Sequence, residues 1–358
     1  MKTKRNKVQE LSINTTLLIF VIILFFLLLE ISIRFIENSG GKLVCEHSFL
    51  SIHEKSNDTL LAYELIPNKT SDYECVHNYI NAQGIRVNNI NDIYPEKSEK
   101  FRIITVGDSV SYGFRREYNE TFPFMLEKYM NDNGFDTEVI NMGVTGYNVE
   151  QNVEMINARA INFNPDLIII GYVHNDYLIG DSYYSLLFEK NITCRLLFTP
   201  IKINCFTLQK VNNIRSVMFI NEAFKNIFNK VKKDNDDSLE FKYDAWTLDP
   251  TRNDFPRYLD SLKKIENISK QHNIVVVILP LATNWSEDIF LRNRVMPYLT
   301  PLNLTVLDGL KAFEDFNPSF IADGNDKVHY SVEGFRLLGK FVGDYIIQNR
   351  EKYNLTKT

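Results

Sequence analysis

Near the carboxyl end of the chain, Asp326-Lys327-Val328-His329 sets a carboxylate three residues before an imidazole. On one turn of chain the two can meet side by side, so that Asp326 holds one ring nitrogen and leaves the other facing a hydroxyl. A serine needs that help, because its hydroxyl alone is a poor nucleophile at neutral pH. Of the six histidines, only His329 has this neighbour and stands at a predicted loop-to-helix junction. The candidate hydroxyl is Ser109, in Gly107-Asp108-Ser109 directly after an apolar run. Taken singly, Gly-Asp-Ser also makes ordinary turns and helix N-caps, and Asp-x-x-His is a common pattern.

Two more blocks could stabilise the oxyanion that forms when a serine attacks an acyl carbon. Asn141-Met142-Gly143 offers a glycine whose backbone N–H can approach a substrate closely, and Gly171-Tyr172-Val173-His174-Asn175-Asp176 offers the Asn175 amide. Each donor aimed at the developing charge is worth on the order of 10²–10³ in rate. Alone, Gly143 reads as a turn glycine and Asn175 as a helix cap. His174 is read as packing against a nearby insertion and stays outside the catalytic set. His174, Asp176 and Asp323 have the composition of a metal site but not the spacing of a ligand pattern, so no metal and no cofactor is assigned.

The elements that must position these residues follow from periodicity. Phe101 to Val106, Val139 to Met142, Leu167 to Gly171, Val275 to Leu279 and Leu304 to Leu307 are short apolar runs, the pattern of buried parallel strands. Helical patterns run from Pro123 to Met130, Val149 to Ile161, Phe255 to Gln271 and Ser331 to Gln348. This alternation predicts an α/β fold, a parallel sheet with helices on both faces. In such sheets ligands bind at the carboxyl ends of the strands, where Ser109, Gly143 and Asn175 all fall. Residues 183–251 break the alternation and are expected to form an insertion. Residues 37–100 are polar, carry Pro67, Gly84 and Pro95, and read as a loop-rich lead-in.

The chain starts with Lys2, Lys4, Arg5 and Lys7, followed by an apolar stretch from Ile13 to Ile36. At ~1.5 Å per residue that stretch reaches roughly 36 Å, enough to cross a hydrocarbon core of about 30 Å. The basic flank predicts a cytoplasmic tail over 1–12 and everything after Ile36 outside; a cleaved signal peptide is the rival reading, without a convincing cleavage site. Cys45, Cys75, Cys194 and Cys205 would then meet an oxidising compartment, with Cys45–Cys75 and Cys194–Cys205 the favoured pairing. Composition is globular, at 44% hydrophobic and 24% charged, and the net charge of −5 with scattered basic residues speaks against nucleic acid.

Taken together, Ser109, Gly143, Asn175 and the pair Asp326 and His329 stand in an order that resembles the SGNH hydrolases, also called the GDSL esterase/lipase family. The resemblance spans about Phe101 to Arg350. Val110 replaces the family's usual leucine, and His174 stands where a smaller or apolar residue is usual. It implies a three-layer flavodoxin-like fold and hydrolysis of O-acyl esters of lipids, acetylated sugars or other small acyl substrates. On this reading Ser109 is the nucleophile, Asp326 and His329 complete the triad, and Gly143 and Asn175 donate to the oxyanion with the Ser109 backbone. The segment from Pro67-Asn68 through Ile80-Asn81-Ala82-Gln83-Gly84-Ile85-Arg86 is similar to the part that precedes the catalytic domain in membrane-anchored bacterial members. The expected organisation is a tail (1–12), a membrane anchor (13–36), the lead-in (37–100), a hydrolase domain (101–350) and a short tail (351–358). The expected partners are an acylated small molecule or polysaccharide and the membrane; an envelope O-acyltransferase using the same triad and a non-catalytic binding domain are the alternatives.

Overall fold

Unbroken β-branched runs such as Ile168-Ile169-Ile170 and Val275-Val276-Val277 favour strands covered on both faces. In the computed structural model of the protein these two runs lie side by side as parallel neighbours. The structure describes residues 2–39, 46, 48–179, 193–195, 202–204, 216, 219, 250–279, 293–316, 321–323 and 326–357. They fall into two compact units, Met1–Ser51 with Thr193–Glu240 and Ile52–Ile192 with Phe241–Thr358.

In the first unit, helix α1 (Lys2–Asn38) contains the apolar stretch, and residues Asn14–Asn38 are long and apolar enough to cross a membrane. The helix also takes in residues 2–12, which the sequence reading set apart as a tail; Lys, Arg, Gln and Glu are good helix formers and carry it on. Arg34 Nε donates to Glu30 Oε1 at 2.9 Å, one turn apart near the helix end, and the Ser216 N–H donates to Glu30 Oε2 at 2.7 Å.

In the second unit the strands are β1 (His53–Lys55), β2 (Tyr63–Leu65), β3 (Lys69–Ser71), β4 (Asn78–Ile80), β5 (Arg86–Val87), β6 (Phe101–Gly107), β7 (Thr137–Asn141) and β8 (Leu167–Tyr172). Strands β9 (Thr193–Arg195) and β10 (Lys202–Asn204) form a hairpin of the first unit. The second unit continues with β11 (Ile274–Ile278), β12 (Thr305–Asp308), β13 (Ala322–Asp323) and β14 (Asp326–Tyr330). Its main sheet has the order β12-β11-β8-β6-β7-β5-β4-β3. The five strands from β12 to β7 are parallel and keep the flavodoxin-like order, in which the chain reverses direction across the sheet next to β6.

The remaining three strands come from the lead-in and make the sheet a mixed one. Strands β5, β4 and β3 extend the sheet antiparallel beyond β7. They are two or three residues long, too short to show a period of two. The expected insertion at 183–251 lies, apart from residues 193–195, 202–204, 216, 219, 250 and 251, outside the described residues. So does the cysteine pairing, which rests on Cys45, Cys205 and the Cys194 side chain.

Helices α2 (Ser109–Tyr112), α3 (Phe122–Asp132), α4 (Val149–Ala158), α5 (Phe255–Ser269) and α6 (Val332–Gln348) complete this unit. Ile103, Val139, Leu167, Ile169, Val275 and Val277 line one sheet face and join Leu126, Met130, Phe335, Leu338 and Val342 of α3 and α6 in one buried core. Their neighbours Ile104, Ile140, Ile168, Ile170 and Val276 point the other way and are equally buried, which is what alternation along a strand requires when helices cover both faces.

Candidate active site

Ser109 reaches its position because the chain turns sharply at the end of β6. Gly107 has φ +151°, a conformation that residues with a side chain rarely adopt, and a Cβ there would fall 2.1 Å from Ser111 Oγ. Asp108 then caps α2, its Oδ1 accepting the Val110 N–H at 2.9 Å. Gly143, at the end of β7, comes so close to this turn that a Cβ would lie 2.5 Å from the Tyr112 nitrogen. Asn175 follows β8 on the opposite side of β6. Adjacent strand order thus places the turns bearing Ser109, Gly143 and Asn175 along one sheet edge.

His329 and Asp326 arrive from the far end of the sequence. They sit on β14, in a hairpin with β13, rather than on the loop-to-helix turn expected. The pairing of β13 with β14 is irregular: Ala322 faces Tyr330 while Asp323 faces Asp326. In a regular strand, residues three apart would point to opposite faces. Here Asp326 Oδ1 accepts the N–H of Val328 at 2.9 Å and of His329 at 3.2 Å, which curls the backbone around the carboxylate. Its other oxygen, Oδ2, lies 2.8 Å from His329 Nδ1, and His329 Nε2 lies 2.9 Å from Ser109 Oγ.

The imidazole is therefore held at one nitrogen and faces the hydroxyl with the other. Both the His329 and Asp326 side chains are 13% exposed, shielded from bulk water but open to a small molecule. Burial alone would raise the Asp326 carboxyl, but the hydrogen bond and charge of His329, with the two backbone N–H groups, hold it well below the usual carboxylate range. Asp326 remains ionised at any working pH and so keeps Nδ1 protonated and Nε2 free to accept. Ser109 Oγ also lies 3.3 Å from Asp108 Oδ2. Burial pushes the Asp108 carboxyl up, opposed by the Val110 N–H and by His329; of the two contacts at Ser109 Oγ, the one to His329 is the shorter.

The donor side is less open than the sequence suggests. The Gly143 N–H already donates to Asn141 Oδ1 at 3.0 Å, so it must be shared or released before it can serve an oxyanion. Asn175 Nδ2 has only a 3.5 Å contact to the Tyr147 carbonyl, which is weak enough to give up. Next to it, Asp176 is fully buried, accepting the Val173 N–H at 2.7 Å and Asn152 Nδ2 at 3.0 Å. Burial, followed by the charge of Asp108, pushes the Asp176 carboxyl well up. His174 is pushed down to about 3, first by burial and then by the charge of His329, so it faces the triad as a neutral ring. Of the composition-based metal trio, the Asp323 side chain lies outside the described residues.

Several contributors escape sequence reasoning. Arg86, fully buried on β5, donates through Nη1 to the carbonyls of Tyr112 (2.7 Å) and Gly113 (2.9 Å) and through Nη2 to that of Arg116. Its guanidinium also stacks 4.3 Å over the Tyr112 ring. The short helix that starts with Ser109 is thereby fixed at its carboxyl end, where its carbonyls lack helical partners. Asn78 Oδ1 accepts the Tyr112 hydroxyl at 2.6 Å. The Phe114 ring lies 4.6 Å from the His329 ring. The one signal for Arg86 is its place in Asn81-Ala82-Gln83-Gly84-Ile85-Arg86, where Asn81 Oδ1 accepts the N–H groups of Gln83 and Ile85 and closes a turn before the strand.

A serine, an imidazole and a carboxylate in hydrogen-bonded line, on the edge where a flavodoxin-like sheet reverses its strand order, form the arrangement of a nucleophilic-serine site. No protein-family profile and no curated protein matches the chain. Among solved structures it is similar to a lipase/acylhydrolase from Enterococcus faecalis, at 14% identity and TM-score 0.41, covering 72% of this chain and 98% of that one. It is also similar to a lipolytic protein of the G-D-S-L family from Desulfitobacterium hafniense (15%, 0.38, 68% and 99%). A third is a carbohydrate acetylesterase from Sinorhizobium meliloti (12%, 0.38, 70% and 100%). At such identities and TM-scores the chemistry of those proteins does not carry over, and what this site can do follows from its own geometry.

Proposed function

We propose that the protein is a serine esterase that cleaves O-acyl esters, with Ser109 as nucleophile, His329 as general base and acid, and Asp326 as the residue that orients it. The observation that carries this reading is the pair of contacts at His329, 2.9 Å to Ser109 Oγ and 2.8 Å to Asp326 Oδ2. Nε2 takes the hydroxyl proton as Oγ attacks the acyl carbon. The tetrahedral oxyanion draws the Asn175 amide away from Tyr147 and the Gly143 N–H away from Asn141. As the ester C–O bond breaks, Nε2 returns the proton to the departing alcohol. Water then attacks the acyl-serine by the same route in reverse, releasing the acid and restoring Ser109.

The apolar segment Asn14–Asn38, with Lys2, Lys4, Arg5 and Lys7 ahead of it, supports a membrane anchor with the site on the extracytoplasmic side. The proposed substrate class there is acylated envelope material, O-acetylated polysaccharide foremost. The test is incubation of the full-length protein with an activated acetyl ester under rapid quench. A transient acetyl group on the Ser109 peptide, absent in Ser109→Ala, is the expected result. Ester turnover by Ser109→Ala equal to that of the wild type would overturn the assignment.

A further inference from the structure

The triad carboxylate has a second cationic partner. Arg115 Nη1 donates to Asp326 Oδ2 at 3.2 Å, the same oxygen that holds His329 Nδ1. Arg115 Nε donates to Glu74 Oε2 at 3.1 Å, so one guanidinium bridges the catalytic carboxylate and an acid between β3 and β4. Arg115 also packs 5.2 Å over the Phe114 ring, which in turn lies against the rings of His329 and Tyr73. The two bridging residues carry positive φ, +60° at Arg115 and +54° at Glu74. Residues with a side chain seldom take that conformation unless their surroundings hold them there. The Glu74 side chain is only 10% exposed, against 43% for Arg115, so the acid is the fixed end of the bridge.

The geometry points to Arg115 as a positioning residue that tunes the proton affinity of the catalytic imidazole, with Glu74 setting how much of its charge the site feels. This inference rests on the esterase reading above. Among the described residues, the charged and titratable groups around His329 are Asp326 on its own strand, Asp108 at the start of α2 and His174 after β8, with Arg115 and Arg116 after α2 reaching that strand through the Asp326 carboxylate and the Tyr330 carbonyl. His174 is kept neutral by burial. Asp108 and Asp326 both favour a charged ring, and Arg115, which among the described cations is the one paired with the Asp326 carboxylate, opposes them. Without it the carboxylates act uncompensated, and the imidazole holds its proton to higher pH. Without Glu74, the full charge of Arg115 falls on the site and the shift reverses.

The size follows from Coulomb's law. Across the shared oxygen the guanidinium and the ring are about 6 Å apart, and with water-like screening, suited to a half-exposed cation, one unit charge moves a titration by roughly half a pH unit. The experiment is the pH dependence of kcat/KM for an activated acetyl ester, with full-length protein at low salt. The acid limb should move up by about half a unit in Arg115→Ala, down by less in Glu74→Gln, and return close to wild type in Arg115→Lys. High salt should shrink each shift, because the cation is exposed. A merely structural role would lower kcat/KM equally at all pH values and leave the limb in place. An Arg115→Ala limb that superimposes on the wild type, or moves down, overturns the inference while leaving the esterase standing. Wild-type protein that forms no acyl-serine and turns over no ester overturns both.

Discussion

Arg86 is the test of how the lead-in segment supports the nucleophile. Replacing it with Met keeps the length and apolar body of the side chain and removes the three donated hydrogen bonds. The Tyr112 carbonyl then keeps Asn141 Nδ2 at 3.2 Å and the Gly113 carbonyl keeps the Arg116 N–H at 3.1 Å, while the partly buried Arg116 carbonyl loses the guanidinium altogether. About 1–3 kcal/mol for the orphaned carbonyl and about 0.5–1.5 kcal/mol for each of the two other lost bonds set an upper bound near 6 kcal/mol. Part is returned, because burying the guanidinium is itself unfavourable, as its lowered proton affinity shows. A net loss of about 3 kcal/mol remains. For a unit of this size that corresponds to a fall in Tm of roughly 6–12 °C, readable by calorimetry of the detergent-solubilised protein. Arg86→Lys should recover little, since one ammonium cannot span three carbonyls that a planar fork reaches. Ester cleavage below Tm should drop through kcat, because the turn after Ser109 loses its brace. An Arg86→Met protein melting within about 2 °C of the wild type would refute this account of the clamp, whatever its activity.

Ser109→Ala should lower kcat by on the order of 10⁴ or more with Tm almost unchanged, since a small side chain at the site is lost from an intact core; measurable loss of stability would mean that the hydroxyl is structural. Asn175→Ala should lower kcat by on the order of 10²–10³ with little change in KM, and an unchanged kcat with raised KM would make Asn175 a substrate-binding residue. Asp176→Asn tests the buried acid through stability. Because burial raises the Asp176 carboxyl above its unfolded value of ~3.9, the wild type holds this contribution in full below that pH and loses it as pH rises toward the folded value. The urea midpoint of the wild type should therefore fall from pH 4 to pH 7 relative to that of the Asn variant, whose amide oxygen replaces only one of the two accepting oxygens and so adds a constant offset; parallel midpoints across that range would refute the raised carboxyl.

The parallel strands, the helices between them and the positions of Ser109, Gly143 and Asn175 at strand ends were legible in the sequence. Unbroken β-branched runs and helical periodicity are local patterns, and they specify local structure. Asp326 and His329 were legible as a pair for the same reason, three residues being within reach of one turn. What only the tertiary structure decided were the contacts between distant stretches. Nothing near Arg115 in the chain marks it as a partner of Asp326, 211 residues away, and nothing near Arg86 marks the carbonyls it would hold. Strands of two or three residues, such as β3 to β5, carry too little pattern to announce that the lead-in extends the sheet. The Gly143 N–H looked free in sequence and is engaged in the fold, because Asn141 two residues earlier turns its side chain back to accept it. Residue order could name the candidate serine and the histidine that meets it. Which charges surround them, and which donors are already taken, depended on how the sheet edge, β5 and the β13–β14 hairpin come together in space.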